Sequence, residues 1–159
     1  MRPDSLPIRV VAIPTEVADS VRTTMRAPKY GHPASVEVAT GAGPCRHCLG
    51  AFAIGAERRI LFTYDRFSGI EDLPQPGPVW MHEAPCARYP EDAGYPEHLR
   101  VLPTTLEAYA RGRRLLASEY VTDGNVEAAI RQLLEDPAAD YVHVINTEAG
   151  CYDLRVERG

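Results

Sequence analysis

Residues 8–13 form an apolar, β-branched run that predicts a buried strand, and Pro14-Thr15-Glu16 then opens a helix with proline and an acid in its first turn. Val17, Val21 and Met25 recur every four residues as one apolar stripe, with Pro28 as the stop. Residues 35–40 alternate as a strand and lead into Gly41-Ala42-Gly43-Pro44. Residues 59–64 read as another strand with Ile60, Phe62 and Tyr64 on one face, and residues 79–82 as a short one. Half of the 14 prolines fall between residues 65 and 103. Proline fixes φ and removes a ladder donor, so that stretch predicts an ordered irregular loop with at most short strands.

Residues 105–121 carry helix-forming side chains, but Gly112 between Arg111 and Arg113 favours a hairpin joining residues 106–109 to 115–121. Asn125 then caps a helix with Glu127 in its first turn, whose buried stripe is Val126, Ile130, Leu133 and Leu134, ending before Pro137.

The last segment predicts a second hairpin, and parity argues its register, because opposed residues face the same side of a sheet. A three-residue loop 148–150 with Gly150 left-handed pairs Thr147 with Cys151, Val144 with Leu154 and Val142 with Val156. A four-residue loop would instead bring Asp153 opposite Val144. In the favoured register His143 and Cys151 share a face but stand roughly 13 Å apart, too far to hold one ion.

Size and charge narrow the classes. A chain of 159 residues with 45% hydrophobic content predicts one α+β domain: a mainly antiparallel sheet with two helices and the long proline-rich loop folded over the Cys/His region. The net charge of -5 argues against nucleic acid as a partner. Met1-Arg2-Pro3-Asp4-Ser5 and the short apolar run after it provide neither a signal-peptide core nor a membrane span, so a cytoplasmic chain that engages no membrane is expected. Thiols stay reduced in that compartment, so the four cysteines read as ligands, catalytic groups or buried apolar residues before disulfides.

Their placement carries the chemistry. Cys45-Arg46-His47-Cys48 spaces two thiolates as half of a zinc knuckle does, and His82 with Cys86 is the best second pair, so Cys45, Cys48, His82 and Cys86 are the candidate metal ligands, with zinc the expected ion. The same string reads as a redox dithiol, although residues 49–55 are too short and glycine-flanked for the long helix that motif needs. A third reading makes Cys48 or Cys86 a nucleophile, His82 its base and Arg46 the binder of an anionic substrate. A metal-free module binding a small molecule or a protein would line its pocket with Arg46, His47, His82 and Asn146, with Cys151 a further pocket residue. Taken singly, His143 and Cys151 read as packed side chains. Gly41-x-Gly43 lacks the third glycine of a dinucleotide fingerprint, Walker, HExxH and G-x-S-x-G motifs are missing, and the acidic pairs Glu71-Asp72 and Glu91-Asp92 read as solvated.

Three ordered strings, Gly43-Pro44-Cys45-Arg46-His47-Cys48-Leu49, Gly77-Pro78-Val79-Trp80-Met81-His82-Glu83-Ala84-Pro85-Cys86, and Tyr141-Val142-His143-Val144-Ile145-Asn146 with Gly150-Cys151, resemble a bacterial family known as domain of unknown function 1203. The resemblance extends to Gly31-His32-Pro33. It implies a compact bacterial domain and supplies no catalytic residue, substrate or cofactor.

Overall fold

The computed structural model describes residues 6–70 and 75–159, so the expectations for residues 1–5 and for Glu71-Asp72 lie outside the described residues. Two helices and two antiparallel sheets make an α+β fold. The chain divides into two compact units, one containing each sheet.

The first unit takes the described parts of Met1–Val11, Phe67–Leu73 and Pro90–Gly159. Its strands are β1 (Ile8–Val11), β5 (Thr104–Tyr109), β6 (Leu115–Val121), β7 (Tyr141–Asn146) and β8 (Cys151–Arg158), in the order β1-β8-β7-β5-β6. The hairpin reading of residues 105–121 holds: β5 and β6 flank a turn in which Gly112 has φ +80, where a Cβ would be strained. Helix α2 (Val126–Leu133) connects β6 to β7 and buries Val126, Ala129 and Ile130; Leu134, at its C-cap, is buried as well. Asn125 occupies the N-cap but makes no side-chain cap bond; its amide instead donates to Asp123 Oδ1, and this backbone bond holds the Asp123 carboxyl below its usual range.

The β7–β8 register combines both sequence alternatives. Val142 pairs Val156 and Val144 pairs Leu154 as expected, yet Asn146, not Thr147, opposes Cys151, because a bulge at Asp153 absorbs one residue. The turn therefore has four residues, with Gly150 left-handed at φ +74. The bulge also corrects the facing: Ile145 pairs Tyr152, so Tyr152 shares the face of His143, while Cys151 turns to the face of Asn146. His143 is fully buried among aromatic rings, with centroids 4.8 Å from Phe67, 5.1 Å from Tyr141 and 5.0 Å from Tyr152.

The second unit takes Ala12–Arg66 and the described part of Pro74–Tyr89. It contains helix α1 (Thr15–Thr24) and the sheet of β2 (Ser35–Val38), β3 (Arg58–Asp65) and β4 (Pro76–His82), in that order. Ile60 and Phe62 on β3 pack with Val79 and Met81 on β4, Ala18 and Val21 on α1, and Cys45 and Phe52 from the connecting loop. Helix α1 ends at Thr24, four residues before Pro28, because Met25 turns left-handed at φ 53 and returns its amide to the Val21 carbonyl. Within the stretch 65–103 the expected short strand at 79–82 is present and begins three residues earlier, at Pro76. Strand β4 accommodates Pro76 and Pro78 because it is the last strand of its sheet, leaving one edge with no ladder to break.

Candidate metal centre

The centre is assembled in the second unit from the loop after β2 and from the end of β4. Gly43, at φ +101, lets that loop pass the Phe52 ring, which a Cβ there would approach to 2.9 Å. A tight turn follows: the Cys45 amide donates to the Gly50 carbonyl, the Leu49 amide donates to the Cys45 carbonyl at 2.7 Å, and Leu49 is left-handed and fully buried. Three further backbone bonds stitch the loop down. The Arg46 amide donates to Trp80 on β4, its carbonyl accepts from Ile13, and the His47 carbonyl accepts from Tyr89. Cys45 and Cys48 are thereby carried to the end of β4, where His82 closes the strand opposite Arg59 on β3, and Cys86 follows four residues later.

The ligand atoms of Cys45, Cys48, His82 and Cys86 all lie within 4.8 Å of one another and can hold a metal ion. Sγ of Cys45 is 3.9 Å from Sγ of Cys86, and Sγ of Cys48 is 3.3 Å from Nδ1 of His82. Cys45 is fully buried, while Cys48 and Cys86 are part-buried. Hydrogen bonds from Cys48 and then Cys86 hold the Cys45 thiol well below its ordinary range; the same bonds, together with burial, push Cys48 and Cys86 up.

Backbone and side-chain donors surround the sulfurs. The His82 amide donates to Cys45 Sγ at 3.3 Å, the Gly50 amide to Cys48 Sγ at 3.4 Å, and Arg22 Nη2 to Cys86 Sγ at 3.3 Å. Arg22 also donates to the His82 carbonyl, tying α1 to the end of β4. His82 Nε2 lies 3.3 Å from Glu57 Oε2, which leaves Nδ1 facing the cluster and gives the ring a carboxylate partner on its far side. Phe52 packs edge-on against the same ring at 4.8 Å.

The remaining candidates have other places. His47 is buried, with Nδ1 3.3 Å from Cys86 Sγ and Nε2 3.1 Å from Thr15 Oγ1; burial pulls its imidazole below the usual range. Arg46 is buried and donates to the Pro44 carbonyl of its own loop. Asn146 and Cys151 belong to the first unit and are not part of the cluster; Asn146 Oδ1 accepts from the Ala149 amide in the β7–β8 turn. Sequence reasoning missed Arg22 and Glu57. Arg22 adjoins the buried Val21 on α1, which marks an arginine near the apolar boundary of its helix, whereas nothing local distinguishes Glu57 from any solvated acid.

Fold and site together define a protein of two antiparallel-sheet units, one of which carries a Cys3His cluster. The chain belongs to the family described as a protein of unknown function (DUF1203), whose model matches residues 42–158. That span contains all four cluster residues, while Gly31-His32-Pro33 falls outside it. No curated protein and no solved structure matches the chain. Among the described residues, no helix is long and apolar enough to cross a membrane.

Proposed function

We propose that the chain is a zinc protein whose ion is held by Cys45, Cys48 and Cys86 through sulfur and by His82 through Nδ1. The observation that carries this reading is the shape of the cluster. Tetrahedral zinc with Zn–S bonds of about 2.3 Å sets sulfur–sulfur edges of about 3.8 Å, and the Cys45–Cys86 edge is 3.9 Å. With a Zn–N bond of about 2.0 Å the mixed edge comes to about 3.5 Å, against 3.3 Å between Cys48 and His82. Three soft thiolates and one imidazole select zinc over the hard cations that prefer oxygen.

Four protein ligands fill a tetrahedral site, so the ion is structural: it fastens the Cys45–Cys48 turn and the chain after β4 to one point beside the three-stranded sheet. Arg22 beside Cys86 offsets the net negative charge of three thiolates and one divalent cation. The Cys48–His82 contact favours a second reading, a thiol enzyme acting on a small molecule with His82 as base. Elemental analysis of untagged protein, paired with thiol titration before and after chelation, separates the two. Near-stoichiometric zinc and thiols that react only after chelation are expected; metal-free protein with one fast-reacting thiol would overturn the zinc reading and support the second.

A further inference from the structure

We propose that β6 is the pairing edge for a second copy of this chain, forming an antiparallel β6–β6 junction about a two-fold axis at Ser118. Native sheets blunt their free edges, and among the described residues three of the four edges here follow that rule. β1 and β2 have only four residues each, and the Val10 amide of β1 donates to Glu91. β4 carries Pro76 and Pro78, and its Trp80 carbonyl accepts from Arg46. β6 is longer, with seven residues and no proline; a bulge at Leu116 and the single charge of Glu119 are its protection, and its backbone makes no hydrogen bond beyond the ladder with β5 among the described residues.

Its side chains point the same way. Leu115 is 52% exposed and Tyr120 60%. Five residues apart, they would face opposite sides of a regular strand, but the bulge that skips Leu116 sets Leu115 opposite Tyr109 and Tyr120 opposite Thr105, on one face. Beside this edge an open cleft of about 260 Å³ runs between β6 and α2, lined by Glu119, Val121, Asn125, Ala129 and Gln132.

The sequence of the edge selects a copy of itself over an unrelated strand. Facing sides match only if one residue opposes itself across the axis. Centring on Ser118 sets the Leu115–Leu116 bulge against Tyr120 at both ends and Ala117 against Glu119, and it brings Arg114 of each copy towards Asp123 of the other. Centring on Glu119 opposes two carboxylates, centring on Ala117 sets the apolar Leu115–Leu116 bulge against Ser118 and leaves Tyr120 without an apolar partner, and centring on Tyr120 runs Leu115 off the end. Ser118 is the centre at which apolar and charged groups are both complementary.

Sedimentation equilibrium of the full chain tests this. A monomer–dimer equilibrium is expected, with a limiting mass twice 17.5 kDa and a dissociation constant on the order of micromolar, as small interfaces give. Tyr120→Lys, at an exposed position that the fold does not need, is expected to weaken it at least tenfold with unchanged circular dichroism. In a Cys151→Ser background, Ser118→Cys should form a linked dimer on mild oxidation. Thr122→Cys should not, because its two copies would stand about 27 Å apart at about 3.4 Å per residue, beyond the reach of a disulfide. A wild-type chain that stays monomeric to several hundred micromolar would overturn the second copy as occupant. Thr122→Cys linking as readily as Ser118→Cys, or a dimer indifferent to Tyr120→Lys, would overturn the register.

Discussion

Replacing Glu57 with glutamine isolates the contribution of the carboxylate behind the His82 ring. The Glu57 carboxylate has two tasks: Oε1 accepts the Ala53 amide at 2.7 Å, and Oε2 faces His82 Nε2 at 3.3 Å. Glutamine keeps the first, because its carbonyl can still accept from Ala53. At the second it sets an amide N–H against the imidazole N–H and removes the charge that makes Nδ1 a stronger donor to a metal. Partners behind a metal-ligating histidine are worth about 10–100-fold in affinity. The lower end applies here, since the Glu57 side chain is 43% exposed and the contact is longer than a charge-assisted bond. Glu57→Gln is therefore expected to weaken zinc binding about tenfold, or about 1.4 kcal/mol. Competition against a chromophoric chelator measures this directly, with Cys48→Ser as a far more damaging reference. Unchanged affinity in Glu57→Gln alongside strong loss in Cys48→Ser would refute the argument that the carboxylate tunes His82.

Further outcomes follow from the packing. Ile60→Ala empties the middle of the second unit's core, where Ile60 is 1% exposed, and should cost about 2–5 kcal/mol in urea unfolding; a loss below about 1 kcal/mol would mean that the site collapses around the deletion. Gly43→Ala places a methyl 2.9 Å from the Phe52 ring at a left-handed φ, so about 1–3 kcal/mol should be lost, and combining it with Phe52→Leu should recover part of that loss if the clash is the cause. Tyr95 is buried, and desolvation pushes its phenol above the ordinary value of 10.0. Its contribution is fully present below pH 10 and lost as pH rises, because the unfolded chain gives up this proton first. Stability should therefore fall more steeply above pH 10 in the wild type than in Tyr95→Phe, and parallel curves would assign the alkaline loss to other groups.

The sequence alone determined the features set by near neighbours. The four-residue recurrence of Val17 and Val21 specifies α1, the apolar stripe before Pro137 specifies α2, and Gly112 breaks residues 105–121 into β5 and β6. The kinds of donor atom were equally legible, since Cys45, Cys48, His82 and Cys86 are read directly from the chain and can hold an ion. Tertiary structure decided what depends on partners distant along the chain. Prolines at 76 and 78 argue against a strand locally, and only β4's place at the end of its sheet reconciles them with the ladder to β3. The bulge at Asp153 adds one residue to the β8 strand and turns Cys151 away from the face of His143, which parity in a regular hairpin cannot foresee. Arg22 and Glu57 join the centre because α1 and the start of β3 come to rest beside His82. Ligand identity is a property of side chains, which a sequence records. The closeness of two pairs of ligands some 40 residues apart is a property of strand pairing and loop closure, which form only when the whole unit folds.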